Sequence, residues 1–154
     1  MNTIDITVVE LEDPPWLPSV ERFCRQVLEE LQLDNWELSI VFCTNQFIRE
    51  LNHRFRGKDA VTDVLSFSQS EGEPFPSAFN PVSTIGDIVI SLDMVETNRL
   101  ATGESWDTEL KRLLIHGILH LAGYDHEEEA EETGEMLNLQ NQLLQKLMEE
   151  RIRT

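Results

Sequence analysis

HGILHLAGYDH, residues 116–126, decides the reading of this chain of 154 residues. It carries His116, His120 and His126, three of the four histidines in the sequence. Four residues make slightly more than one helical turn, so His116 and His120 project from one face of a helix, a turn apart. That spacing lets two imidazole nitrogens meet one metal ion. Gly123 is expected to end the helix, because glycine takes the left-handed conformation at little steric cost. The chain can then turn back and bring His126 to the same ion. Three neutral imidazoles around one zinc ion per chain leave a fourth position for water, the arrangement of a catalytic site rather than a structural one.

Two histidines four apart on an apolar helix are commonly plain core side chains. The third, placed beyond a helix-ending glycine, turns the reading towards metal. Around the histidines the sequence is apolar on nearly every side, through Leu110, Leu113, Leu114, Ile115, Ile118, Leu119 and Leu121. The helix, capped by Ser105 with Asp107 and Glu109 in its first turn, is therefore expected to run through the core with its histidines inside. The spacing of the histidines and Gly123 matches the metzincin zinc motif, with one difference. Metzincins place a glutamate general base after the first histidine, whereas this chain has Gly117. A peptidase lacking that carboxylate lacks the group that takes a proton from the attacking water.

Working outward, Thr3 to Val9 alternates apolar and polar residues as a strand does. Asp13-Pro14-Pro15 interrupts it, and Pro18 and Ser19 open a helix carrying Val20, Phe23, Cys24, Val27, Leu28 and Leu31 at helical spacing. Trp36 to Phe42 reads as a second strand. Thr44 caps a short helix with Phe47, Ile48, Leu51 and Phe55 on one face, ended by Gly57. Val64–Phe67 and Asp87–Leu92 read as further strands, separated by a proline-rich stretch expected to be a mobile loop or flap. Ser91 or Asp93 caps a helix to about Ala101. A final helix from Glu128 to Met148 is expected to pack through Met136, Leu137, Leu144 and Leu147. These elements predict a single α/β (α+β) domain over residues 1–154. Its small mixed sheet of about four strands packs with helices around a central, zincin-like metal-binding helix.

Composition limits the function classes. A hydrophobic share of 40% fits an ordinary globular protein, and no apolar run approaches the ~20 residues of a membrane helix. Asp5, Glu10 and Glu12 argue against an N-terminal signal peptide, so the expected location is cytoplasmic, with no membrane partner. Cys24 and Cys43 do not form a CxxC pair and are read as buried free thiols. The net charge of −17 speaks against nucleic acid until its distribution is considered. The run EEEAEETGE at 127–135 concentrates acid on one helical start, while Arg49, Arg54, Arg56 and Lys58 cluster against Glu50. That basic segment can hold a polyanion locally, with weak and salt-sensitive affinity.

Three further segments, LNHRF at 51–55, FRGKDAVTDVLSF at 55–67 and IGDIVIS at 85–91, accompany the histidine run. In order and spacing the set resembles the signature of the YbeY family of bacterial endoribonucleases. The resemblance implies a zinc-dependent, single-strand-specific endoribonuclease (a metal-dependent hydrolase). It further implies action on the 3′ end of 16S ribosomal RNA and a part in ribosome quality control. The implied partners are single-stranded RNA, ribosomal RNA, the small ribosomal subunit and ribosome-associated proteins, with no DNA. The implied zinc ligands are His116, His120 and His126, and the arginine of the RGKD loop is Arg56. Chemically, an arginine suits a phosphodiester, whose transition state gathers charge on its non-bridging oxygens, with Lys58 and Arg54 as weaker helpers. Water or the RNA 2′-OH can be the attacking group. Asp125 either orients a histidine or caps the turn, Asp87 either approaches the site or opens its strand, and Ser66 and Phe67 either line the cleft or pack. His53 reads as solvent-facing. Two other functions compete: a metallopeptidase or amide hydrolase, and a ribosome-assembly factor with a structural metal.

Overall fold

Alternation along four strands sorts the core onto two faces of one sheet. The structure, a computed structural model, describes residues 1–68, 86–124 and 135–153. The strands are β1 (Thr3–Val8), β2 (Glu37–Cys43), β3 (Val64–Ser68) and β4 (Gly86–Ser91). They lie in the order β1-β2-β4-β3, the first three parallel and β3 antiparallel at the edge. Ile6, Ile40, Ile88 and Ser66 stand in register across one face, and Asp5, Ser39, Asp87 and Phe67 across the other. The expected α/β fold with a four-stranded mixed sheet is what forms.

The first face is covered by α1 (Leu17–Glu30), α4 (Trp106–Leu119) and α5 (Glu135–Lys146). Helix α1 buries Val20, Phe23, Cys24, Val27 and Leu28, the stripe its sequence spacing predicts. Each large apolar side chain removed from water there contributes roughly 1.5–3 kcal/mol. Helix α2 (Asn45–Arg56) covers the second face, where Ile48 and Leu51 join Val41, Cys43, Leu65, Phe67 and Val89. Thr44 caps α2 by accepting from the Phe47 N–H, and Gly57 closes it in the left-handed conformation. Ser91 caps α3 (Leu92–Thr102), and Ser105 caps α4 by accepting from the Thr108 N–H.

Several expectations change. Strand β2 begins at Glu37, and Trp36 sits buried before it, its N–H bonded to Asn2 Oδ1 at 2.8 Å. Leu137 is 40% exposed, while Leu143 and Gln140 face the core in its place. The register of α5 runs through Met136, Gln140, Leu143, Leu144 and Leu147, so its core stripe contains a glutamine. The proline-rich loop, the start of the last helix and the run of glutamates lie outside the described residues. Cys24 and Cys43 are buried free thiols, as expected. Burial pushes Cys43 up to about 12 and raises Cys24 further, so neither supplies a thiolate near neutral pH.

Candidate active site and metal centre

Helix α4 is buried almost all round, and its exceptions form a pattern. From Thr108 onward the half-exposed positions are Thr108, Arg112, His116 and His120, each four residues after the last. Residues between them, including Leu113, Leu114, Ile115, Gly117, Ile118 and Leu119, are buried. The two histidines therefore share the one open stripe of α4 rather than lying inside the core, which corrects the expectation from composition. A π turn, His120–Tyr124, follows, and Gly123 takes φ 95°, the left-handed conformation read from the sequence. His126 and Asp125 lie outside the described residues. Among the described residues no cluster of three or more His, Cys, Asp or Glu stands ready to share a metal ion.

The donor chemistry of the described pair fits a metal. His116 Nδ1 lies 3.0 Å from the Gln140 Oε1 of α5, a side chain only 5% exposed. A histidine that gives Nδ1–H to an amide oxygen presents the lone pair of its Nε2. Gly117, between the two histidines, serves packing. A Cβ there would stand 2.9 Å from both Cδ1 and Cγ2 of Ile88, so α4 rests its backbone directly on β4. The residue that would be the general base in a peptidase thus points at the sheet and has no room for a side chain.

Arg56 arrives from the opposite face. It is the last residue of α2, exposed, and its Nη2 donates to the Ser66 carbonyl at 2.6 Å. Its guanidinium lies 4.8 Å from the centroid of the Phe67 ring, which itself meets Phe55 edge-on at 5.6 Å. Phe67 is buried as core, and Ser66 faces the α4 side in the row of Ile88. Residues 66 and 67 of β3 therefore join the arginine to the strand pair beneath Gly117. The buried Asn52, which sequence reasoning passed over, donates its side-chain amide to the Ala60 carbonyl at 2.9 Å, while its backbone carbonyl accepts from the Lys58 N–H. It fixes the RGKD loop. His53 is solvent-facing and lines a shallow groove of about 500 Å³ with Arg49, Glu50, Asp59 and Val61. Arg49 is committed to Asp59 at 2.8 Å.

Asp87 is the second residue of β4, 5% exposed, on the Arg56 side of the sheet beside Phe67. Among the described residues its Oδ1 has no hydrogen-bond partner, and burial raises its carboxyl from 3.8 to about 6, with the neighbouring Ser39 hydroxyl pulling the other way. Sequence reasoning also missed Gln140. Its signal was a polar residue on the apolar stripe of the last helix.

Comparison with known proteins agrees with this architecture. The family model described as endoribonuclease YbeY matches residues 5–148. Endoribonuclease YbeY of Treponema pallidum is 42% identical over 144 residues, covering 94% of this chain and 89% of the relative. That of Staphylococcus carnosus is 38% identical over 146 residues, covering 94% and 95%. The solution structure of TM1509 from Thermotoga maritima superposes with a TM-score of 0.66 at 28% identity, covering 94% of this chain and 89% of that one. No helix among the described residues is long and apolar enough to cross a membrane. A family-model match across nearly the whole length, with relatives of about this identity, makes this chain a member of the YbeY family of endoribonucleases.

Proposed function

We propose that this chain cleaves single-stranded RNA with the help of one zinc ion held by His116, His120 and His126. The observation that carries the reading is the open stripe of α4, where two imidazoles stand a turn apart and one already has its Nδ1 matched to an amide oxygen. When bound, such an ion acts as a Lewis acid on the phosphoryl group and makes a nucleophile available near neutral pH. Gly117 then needs no carboxylate.

The remaining work falls to the chain's own residues. Arg56 donates to a non-bridging phosphoryl oxygen, where charge develops in the transition state. Its bond to Ser66 and its seat over Phe67 hold the guanidinium still, so little reorganisation is needed at that moment. Lys58 and Arg54 attract the neighbouring phosphates. On a chain of net charge −17 this patch binds RNA weakly and in a salt-dependent way. The RNA is ribosomal in this reading: the family motifs support action at the 3′ end of 16S ribosomal RNA, on the small subunit, in the cytoplasm.

The test is a matched assay on one preparation: elemental analysis, cleavage of a single-stranded RNA panel, and a fluorogenic peptide panel, each with and without chelator. RNA cleavage that disappears with the chelator and returns with zinc supports the proposal. Cleavage that persists in fully stripped protein, or peptide hydrolysis without RNA hydrolysis, overturns it.

A further inference from the structure

We infer that Gln140 is a positioning residue for the metal site: it holds His116 in the Nδ1–H tautomer and so aims the lone pair of Nε2 at the ion. The inference rests on the metal reading above and adds a partner from a different helix.

Gln140 is a polar residue in an apolar setting. It occupies a core position of α5, flanked on its stripe by Met136, Leu143, Leu144 and Leu147, and is 5% exposed. A polar amide at such a place costs stability unless bonded. The bond it makes, 3.0 Å to His116 Nδ1, accounts for its presence. Two arrangements share that distance. If the amide nitrogen donated to Nδ1, the ring proton would sit on Nε2 and remove that nitrogen from coordination. If Oε1 accepts from Nδ1–H, Nε2 is left as a donor atom towards metal, the arrangement metal-holding histidines adopt.

The frame around Gln140 is rigid. At the far end of α5 the buried ammonium of Lys111 on α4 donates to the carbonyls of Leu147, Met148 and Glu150 at 3.3, 3.1 and 2.9 Å. The Asp107 carboxylate accepts from the Ile152 and Arg153 N–H groups at 2.9 and 3.0 Å. The Arg153 guanidinium lies 4.1 Å from the Trp106 ring centroid. Helix α5 and the tail behind it are thereby pinned along α4, and Gln140 cannot drift from His116 without breaking that register.

The experiment uses full-length, metal-free protein with ¹⁵N-labelled histidine. Two-bond proton–nitrogen correlation reads the tautomer of His116, and competition with a chromophoric chelator reads zinc affinity. We expect Nδ1–H in the wild type, loss of that preference in Gln140→Leu, and its retention in Gln140→Glu, whose carboxylate also accepts. Zinc binding should weaken about 10- to 100-fold in Gln140→Leu and stay within about threefold of wild type in Gln140→Glu. A wild-type His116 carrying its proton on Nε2 overturns the inference. So does a Gln140→Leu protein that melts lower yet keeps both tautomer and affinity. If Gln140→Leu fails to fold, the tautomer and affinity of the wild type and Gln140→Glu decide. Wild-type protein that shows the Nδ1–H tautomer but binds no zinc would defeat the metal reading itself, a result distinct from failure of the Gln140 contact.

Discussion

Helices α2 and α4 reach the same edge of the sheet from opposite faces, and different physics holds each of them there. The histidine side is built by packing. Its backbone rests on Ile88 at Gly117, its surroundings are apolar, and its first imidazole is met by a buried amide. The arginine side is built on the surface. Arg56 is exposed at the end of a helix whose last turn is basic, where the Ser66 carbonyl and the Phe67 ring help to hold it. The difference teaches that loss of function and loss of stability should separate on the α2 side and mix on the α4 side.

The largest expected effect probes the α4 side at the histidines proposed as ligands. His116→Ala or His120→Ala should reduce RNA cleavage by a factor of about 1,000 or more, because the proposed Lewis acid would lose its donors. Zinc content measured by elemental analysis should fall in the same samples. Either variant retaining full zinc content and activity would remove α4 from the chemistry. Next comes Arg56→Ala, expected to lower kcat about 100- to 1,000-fold, as removal of one donor aimed at developing charge does. Its melting temperature and zinc content should stay near wild type. A variant that loses activity only by losing zinc would erase the distinction between the two sides.

How much of this was legible in sequence follows the same division. The open stripe was half visible: four-residue spacing put His116 and His120 on one face, yet apolar composition placed that face inside. Periodicity reports which residues share a face, whereas exposure depends on where neighbouring helices stop. The Thr44, Ser91 and Ser105 caps and the Gly57 and Gly123 stops were readable because each is a local backbone requirement. Gln140 and Asn52 were not, because their meaning comes from partners 24 and 8 residues away in the chain. Gly117 was legible as the lack of a carboxylate but not as a packing point. Only contact with Ile88 shows that the position excludes any side chain.

That contact gives a smaller, purely structural test. Gly117→Ala places a methyl 2.9 Å from two Ile88 carbons in a site that is fully buried. Overpacking of this kind costs roughly 1–3 kcal/mol, read as a shift in the urea midpoint. Adding Ile88→Val, which removes the Cδ1 methyl, should recover part of the loss. Equal midpoints for Gly117→Ala and wild type would show that α4 is not pressed onto β4. Arg56 instead meets its strand through a flexible side chain.

A pH-dependent effect concerns Asp87, the buried carboxyl on the arginine side of the sheet. Its folded-state value of about 6 lies above the ordinary 3.8, so the folded protein holds this proton more tightly than the unfolded chain. Linkage then fixes the sign. Between pH 4 and 6 the native state binds more protons, so stability falls as pH rises, and the contribution is fully present only below the unfolded value. Asp87→Asn carries no charge at any pH and should abolish this slope. The variant should lie close to wild type near pH 4 and exceed it at pH 7 by up to about 3 kcal/mol in denaturant titrations, the size of a two-unit shift. Other carboxylates titrate in the same window, so the measured quantity is the difference between the two curves. A difference that does not change between pH 4 and 7 would mean that Asp87 is solvated in solution. The α2 face would then be more open at its strand end than its burial indicates, narrowing the contrast with the packed α4 side.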